Sequence, residues 1–380
     1  MKKILLLASV VAVVACSDTD NYKETEDVEI GFSKVYVEKG TKAPYTDVAS
    51  LQGDTRGFGV FGARTKQDNT IDKVFGKSTA ETNGGAQVTY NSTSQAWTYS
   101  PKRYWDKGAQ KYQFYAYAPY NTSTTSGNTT TYLLGTVSWD QTAEANGFSI
   151  SGFKQKTTVA DMIDILTDLE NQTNNTTFQN DVNFSFKHIL SNINFMMAVS
   201  PDLKADENLN PVAVNSISIG AVKMDGSYSY VTNAYKWTLA DNPTTYTFNA
   251  TQTNSKVFAA GALKAMTNTT GNTLTAAQIS ATPTNVPGLT NLLFVPQVLP
   301  TDTKYVVTIE YTIGDEVRNR TINLNDFSKT TDNNTTVKTT EWVSGYQYNY
   351  ILVISATPIE FNVTNIGDWT QTDTYYYTIE

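Results

Sequence analysis

Thiol and imidazole chemistry are nearly missing from this chain, which has one cysteine, Cys16, and one histidine, His188, among 380 residues. A lone cysteine excludes an intramolecular disulfide framework, and a zinc site would need further His or Cys ligands. A Ser-His-Asp or Cys-His arrangement could be built only around His188. That residue sits in a strand-like run between Phe186 and Ile189 and reads as structural. Charge is scarce too: Asp, Glu, Lys and Arg make up 17% of the chain, with a net of −8. Nucleic-acid binders need basic stripes, so nucleic acid is excluded as a partner. No apolar run reaches the roughly 20 residues that span a bilayer as a helix. No glycine-rich loop opens a helix, since GFGVFG at 57–62 alternates like an edge strand. Asp161, Asp164 and Asp168 recur at three and four residues and would line the solvated side of a helix. The two carboxylates of a glycosidase would have to be brought together by the fold, and no compact pair stands out. The chain is therefore not expected to be an enzyme or to hold a metal or cofactor.

What is present begins at the N-terminus. Lys2 and Lys3 form a basic start, Ile4 to Val14 an apolar run, and Val13-Val14-Ala15-Cys16 a small-residue cleavage site. The run is too short to cross a bilayer and has the layout of a secretory signal peptide, so residues 1–15 are expected to be removed. The site has the lipobox pattern, which makes Cys16 the expected lipidation point. Its thiol would carry diacylglycerol and its amine a third acyl chain, and several chains anchor far more firmly than one. Loss of Lys2 and Lys3 from 28 basic residues leaves 26 against 36 acidic ones, a net of −10.

The body reads as all-β. Tyrosine is abundant, at 23 residues. The recurring period is two: Tyr112, Phe114 and Ala116 alternate against Tyr115 and Tyr117, and Val182, Phe184 and Phe186 lead toward Ile193 and Phe195. YVVTIEYTI at 305–313 and YNYILVIS at 348–355 are rich in β-branched and aromatic residues, and turn residues such as Asp225-Gly226 separate neighbouring runs. Short strands with polar turns indicate β-sandwiches. One helix is expected, TVADMIDILTDLE at 158–170, where Met162, Ile165, Leu166 and Leu169 would share a face. The length after signal removal favours two domains. The acidic stretch after Cys16 reads as a tether. The polar break NQTNNTTFQN at 171–180 places the domain boundary, giving 57–180 and 181–380. Asn-x-Ser/Thr triplets at Asn91, Asn268 and Asn362 reflect an Asn- and Thr-rich surface.

Five segments occur in a telling order behind the lipobox: RYWDKGAQKYQFYAYAPY (103–120), DMIDILTD (161–168), FKHILSNINF (186–195), LLFVPQVL (292–299) and EWVSGYQYNYILVI (341–354). In this the chain resembles the fimbrillins, the Bacteroidales lipoprotein pilins that build type V pili. The resemblance implies two transthyretin-like β-sandwich domains in tandem, each seven-stranded. It also implies an outer-membrane lipoprotein precursor, cut by a trypsin-like protease after an Arg or Lys near the N-terminus. The cut releases the first strand, and the groove accepts a donor strand from the C-terminus of another subunit. Ser17, Asp18 and Asp20 resemble the family's surface-export signal. The implied partners are other pilin subunits, the maturation protease and, through the lipid, the outer membrane; the implied destination is the fimbrium.

The residues fit that mechanism. VEIGFSKVYV at 28–37 puts Val28, Ile30 and Phe32 on one face, and a bulge near Ser33-Lys34 would restore the face for Val35 and Val37. This is the expected removable strand, within a propeptide of residues 16–56. Lys39, Lys42 and Arg56 follow in a polar stretch of the kind proteases cut. Arg56, just before Gly57 and the next strand, is the favoured point, with Lys42 and Lys39 as alternatives. The chain's last residues alternate Tyr375, Tyr377 and Ile379 against Tyr376 and Thr378, and a terminal apolar strand needs a groove, either in another subunit or in its own domain. The alternative function is a surface glycan-binding lipoprotein, in which Trp97, Trp105, Trp237, Trp342 and Trp369 would stack on sugars if they do not instead fill the cores.

Overall fold

A computed structural model of the chain describes residues 28–38, 45–78, 81–140, 147–172, 178, 180–199, 212–231, 234–241, 243–249, 284–285, 288–299, 305–313, 315–324, 328–330, 336–338, 340–354 and 360–368. Cys16, Lys39, Lys42, Trp369 and the expected donor strand lie outside them. Almost all the regular structure is β, and no described helix is long and apolar enough to cross a membrane.

Strand β1 (Phe32–Val37) is followed by one short helix, α1 (Val48–Gly53), whose start is closed by a reciprocal Asp47–Ser50 capping box. Then come β2 (Phe58–Thr65), β3 (Ile71–Phe75), β4 (Ala86–Asn91), β5 (Ala96–Thr98) and β6 (Lys111–Ala118). A small exposed ribbon, β7 (Ser123–Ser126) with β8 (Thr129–Tyr132), precedes β9 (Thr136–Asp140), β10 (Gly147–Lys154), β11 (Leu166–Gln172) and β12 (Val182–His188). The largest sheet runs β1-β12-β11-β6-β2-β4-β5, with β3 on β2.

Both faces of this sheet are buried. Tyr112, Phe114 and Ala116 enter one core and Tyr115 and Tyr117 the other, as their alternation predicts. GFGVFG is therefore not an edge strand: β2 lies between β6 and β4, and its near-continuous apolar character reflects burial on two sides. Gly59 gives room to the Tyr117 ring, which a Cβ there would strike.

Against one face packs a second sheet, β16-β15-β10-β9, in which β15 (Asp225–Val231) and β16 (Ala234–Leu239) come from much later in the chain. Tyr115 stacks on Phe148 across the gap, centroids 4.0 Å apart. The other face curls until β5 meets β1, around Phe32, Phe58, Phe75, Trp97 and Phe184.

The second sandwich pairs the sheet β18-β13-β26-β27 with the sheet β17-β14-β21-β22. The first contains β13 (Ser191–Val199), β18 (Thr284–Asn285), β26 (Tyr346–Ile354) and β27 (Glu360–Asp368), with β19 (Leu292–Phe294) on β13. The second contains β14 (Val212–Val222), β17 (Thr244–Asn249), β21 (Val306–Ile313) and β22 (Glu316–Asn323). Two further small pairs are β20 (Gln297–Val298) with β25 (Glu341–Trp342) and β23 (Ser328–Thr330) with β24 (Thr336–Lys338). Phe195, Phe248, Phe294, Trp342 and Tyr350 fill this core, which is continuous with that of the first sandwich.

Two expectations are corrected. Residues 158–170 are not a helix. Val159–Asp161 form one 3-10 turn, and Leu166 opens β11, because positions facing away from the expected apolar stripe are buried as well. Asp164 is 1% exposed rather than solvated. The break at 171–180 is not a passage between sandwiches either. It joins β11 to β12, which pair directly at Leu166–His188, and the chain changes sheet at Ile189–Leu190. The β15–β16 hairpin then returns to the first sandwich, so one sheet draws on both sides of that break.

Candidate functional site: the groove of strand β1

β1 lies parallel to β12, pairing Phe32 with Val182 and Val35 with Phe184. The register shifts between Phe32 and Val35, where the sequence calls for a bulge. Ile30, Phe32, Val35 and Val37 are buried while Ser33 and Lys34 are exposed. On the β12 side, Val182 N donates to Gly31 O at 2.8 Å and Glu38 N to Phe186 O at 2.9 Å. The opposite edge is clasped at its start: Ile30 N donates to Arg103 O at 2.8 Å and Trp105 N to Val28 O at 2.9 Å.

The Tyr99 hydroxyl also donates to Ile30 O at 2.8 Å. Burial pushes the Tyr99 phenol well above its ordinary pKa, which keeps it a donor. Arg103 holds this clasp by bonding Glu81, Val74 O and Pro101 O, with its guanidinium 4.9 Å from the Phe75 ring centroid. Lys102 bridges to Glu29 at 2.6 Å. Nothing in the spacing of these residues marked them as partners, since they meet β1 from about 70 positions away.

The four buried side chains of β1 and its lead-in, Ile30, Phe32, Val35 and Val37, measure how strongly this segment is held. Burying each contributes about 1.5–3 kcal/mol, so together they supply roughly 6–12 kcal/mol. That rivals the total stability of a typical domain, about 5–15 kcal/mol.

Arg56 sits in the turn between α1 and β2. Its Nε and Nη2 reach Asp54 at 2.9 and 2.7 Å, and Nη2 lies 3.5 Å from the Tyr45 hydroxyl, which itself donates to Asp54. Burial would raise the Asp54 carboxyl, but the hydrogen bonds from Arg56 and Tyr45 outweigh it and hold the carboxyl below its usual range. Burial, reinforced by Asp54, pushes the Tyr45 phenol up.

His188 ends β12 with its Nδ1 3.1 and 3.0 Å from the two Asp164 oxygens, both side chains buried where the chain passes between sandwiches. The signal for this pair was an Asp flanked by Met162, Ile163 and Ile165. Among the described residues no group of three or more His, Cys, Asp or Glu is placed to hold a metal. Trp97, Trp105 and Trp342 are buried and Trp237 is half-buried, its indole N–H donating to Ile189 O, so these rings fill the cores and are not offered to sugars.

The profile of the fimbrillin-like family matches residues 41–369. The chain belongs to the fimbrillin-like family. Fimbrium subunit Fim1C of Phocaeicola vulgatus is 26% identical over 237 residues, 59% of this chain and 56% of that protein, so the match spans little more than half of the relative's length. The crystal structure of a fimbrial protein from Bacteroides vulgatus aligns over 90% of this chain and 100% of its own with a TM-score of 0.55 at 20% identity, and shares the fold. The family match begins after β1 and ends one residue after β27. The body of this fimbrillin-like protein thus lies between the strand expected to leave and the tail expected to be donated.

Proposed function

We propose that this protein is a structural subunit of a type V pilus that supports adhesion and carries no active site. It is exported as a lipoprotein through Cys16 to the outer membrane, and a protease then frees β1. The vacated groove takes the C-terminal strand of another copy, with Tyr375, Tyr377 and Ile379 entering the apolar sockets that β1 leaves. The observation that carries this reading is β1 itself: a terminal strand, clasped on both edges, that plugs four apolar sockets of a body belonging to a fimbrial family. An inserted strand restores main-chain hydrogen bonds along its length and fills alternate sockets.

Trypsin-treated precursor should lose the peptide containing β1, by intact mass and N-terminal sequencing, and form a ladder of oligomers. Deleting residues 370–380 should abolish the ladder. Protein that loses β1 and stays monomeric, or never loses it, would refute strand exchange.

A further inference from the structure

We infer that Arg56 is a lock and not the maturation cut. On this inference Tyr45–Arg56 stays on the mature subunit, and the protease that frees β1 is lysine-directed. The inference rests on the strand-removal reading above and concerns which bond is broken.

The Arg56 side chain is 38% exposed, but the Arg56–Gly57 backbone is held by hydrogen bonds on both residues. The Arg56 guanidinium is clamped on Asp54, its N–H donates to Asp54 Oδ1 at 2.9 Å, and its carbonyl accepts from Gln87 Nε2 at 2.9 Å. Gly57 donates to Asp54 O and accepts from Tyr120 N, both at 3.0 Å. Its φ of +61° is left-handed, and a Cβ there would run into the Val88 carbonyl. Proteases take exposed segments that can be drawn out of the fold. Drawing out residues on both sides of this bond would extract Phe58 and Val60, both 0% exposed, from the middle of the largest sheet.

The segment before the bond is also part of the body. Tyr45 is 3% exposed and Leu51 0%, and α1 packs against β1 and β4. A strand laid along β12 refills the sockets of Ile30, Phe32, Val35 and Val37. It runs past those of Tyr45 and Leu51, so a subunit beginning at Gly57 would keep two open holes. The family match, which starts at residue 41, includes this segment and leaves β1 out.

The protease class follows from the sequence. Arg56 is the first arginine in the chain, and every basic residue before it is a lysine. An arginine-specific protease could free β1 only at Arg56 or beyond it.

The test compares a lysine-specific with an arginine-specific protease on folded full-length precursor, reading new N-termini by sequencing and mass. The lysine-specific enzyme should release β1 and leave a body that starts upstream of Tyr45. The arginine-specific enzyme should leave Arg56–Gly57 intact over the same time. Asp54→Ala, which removes the clamp, should speed cutting at Arg56 by tenfold or more. A native fragment starting at Gly57, with β1 gone, would overturn the lock even if the product polymerised. A body starting upstream of Tyr45 that never exchanged strands would leave the lock standing and sink the pilus reading.

Discussion

Replacing Phe32 by alanine tests how strongly β1 is held. The Phe32 ring is 3% exposed and lies 5.6–6.0 Å from the rings of Phe58, Phe75, Tyr99 and Phe184. Truncating a buried Phe removes its transfer energy and leaves a cavity, together worth about 3–5 kcal/mol. With a urea slope near 2–3 kcal/mol/M, the midpoint of the uncut precursor should fall by about 1–2.5 M. Lys34→Ala on the same strand, whose side chain points outward, should stay within about 0.5 kcal/mol. After cutting, Phe32→Ala should speed release of β1, whereas assembled polymer, which no longer contains residue 32, should melt as wild type. A midpoint shift no larger than that of Lys34→Ala would refute the assignment of Phe32 to a closed socket. An equal loss of stability in the polymer would refute strand replacement.

His188→Ala should cost about 1–3 kcal/mol, because it removes the hydrogen-bond partner of the buried Asp164 carboxyl; a thermal or urea melt would show it, and a change below about 0.5 kcal/mol would refute the pairing. The Asp54 lock should be acid-sensitive. Because its folded pKa is depressed, its contribution is present above the ordinary carboxylate value near 3.9 and is lost as pH falls through the depressed value. The urea midpoint of wild type minus that of Asp54→Asn should therefore be positive at pH 7 and shrink as the pH falls below about 3.9; a difference independent of pH would mean that the carboxylate charge is not what holds Arg56.

Where burial follows a simple period, the chain could be read directly. Val182, Phe184 and Phe186 alternate inward on β12, and the phase slip in β1 announced its bulge. Where burial is two-sided, period loses its meaning. DMIDIL carries apolar residues at helical spacing because several of its positions are enclosed between the two sandwiches, and the same enclosure turns Asp164 from a surface acid into the partner of His188. GFGVFG looked like an edge for a related reason: its glycines make space for rings from β6, a requirement visible only once β6 is beside it.

Local composition and pattern determined the all-β class, the fimbrillin resemblance and the face of β1 that enters the core, since each depends on side-chain type and spacing within a few residues. The tertiary structure alone decided the rest. Polar partners found across long separations, Tyr99 and Arg103 on Ile30, Gln87 on Arg56 and the β15–β16 hairpin on β10, are set by sheet order, which leaves no mark on neighbouring residues. The hydrogen bonding of Arg56 belongs to that second group. A basic residue before a glycine looks free in sequence, and only the folded turn shows its guanidinium clamped on Asp54.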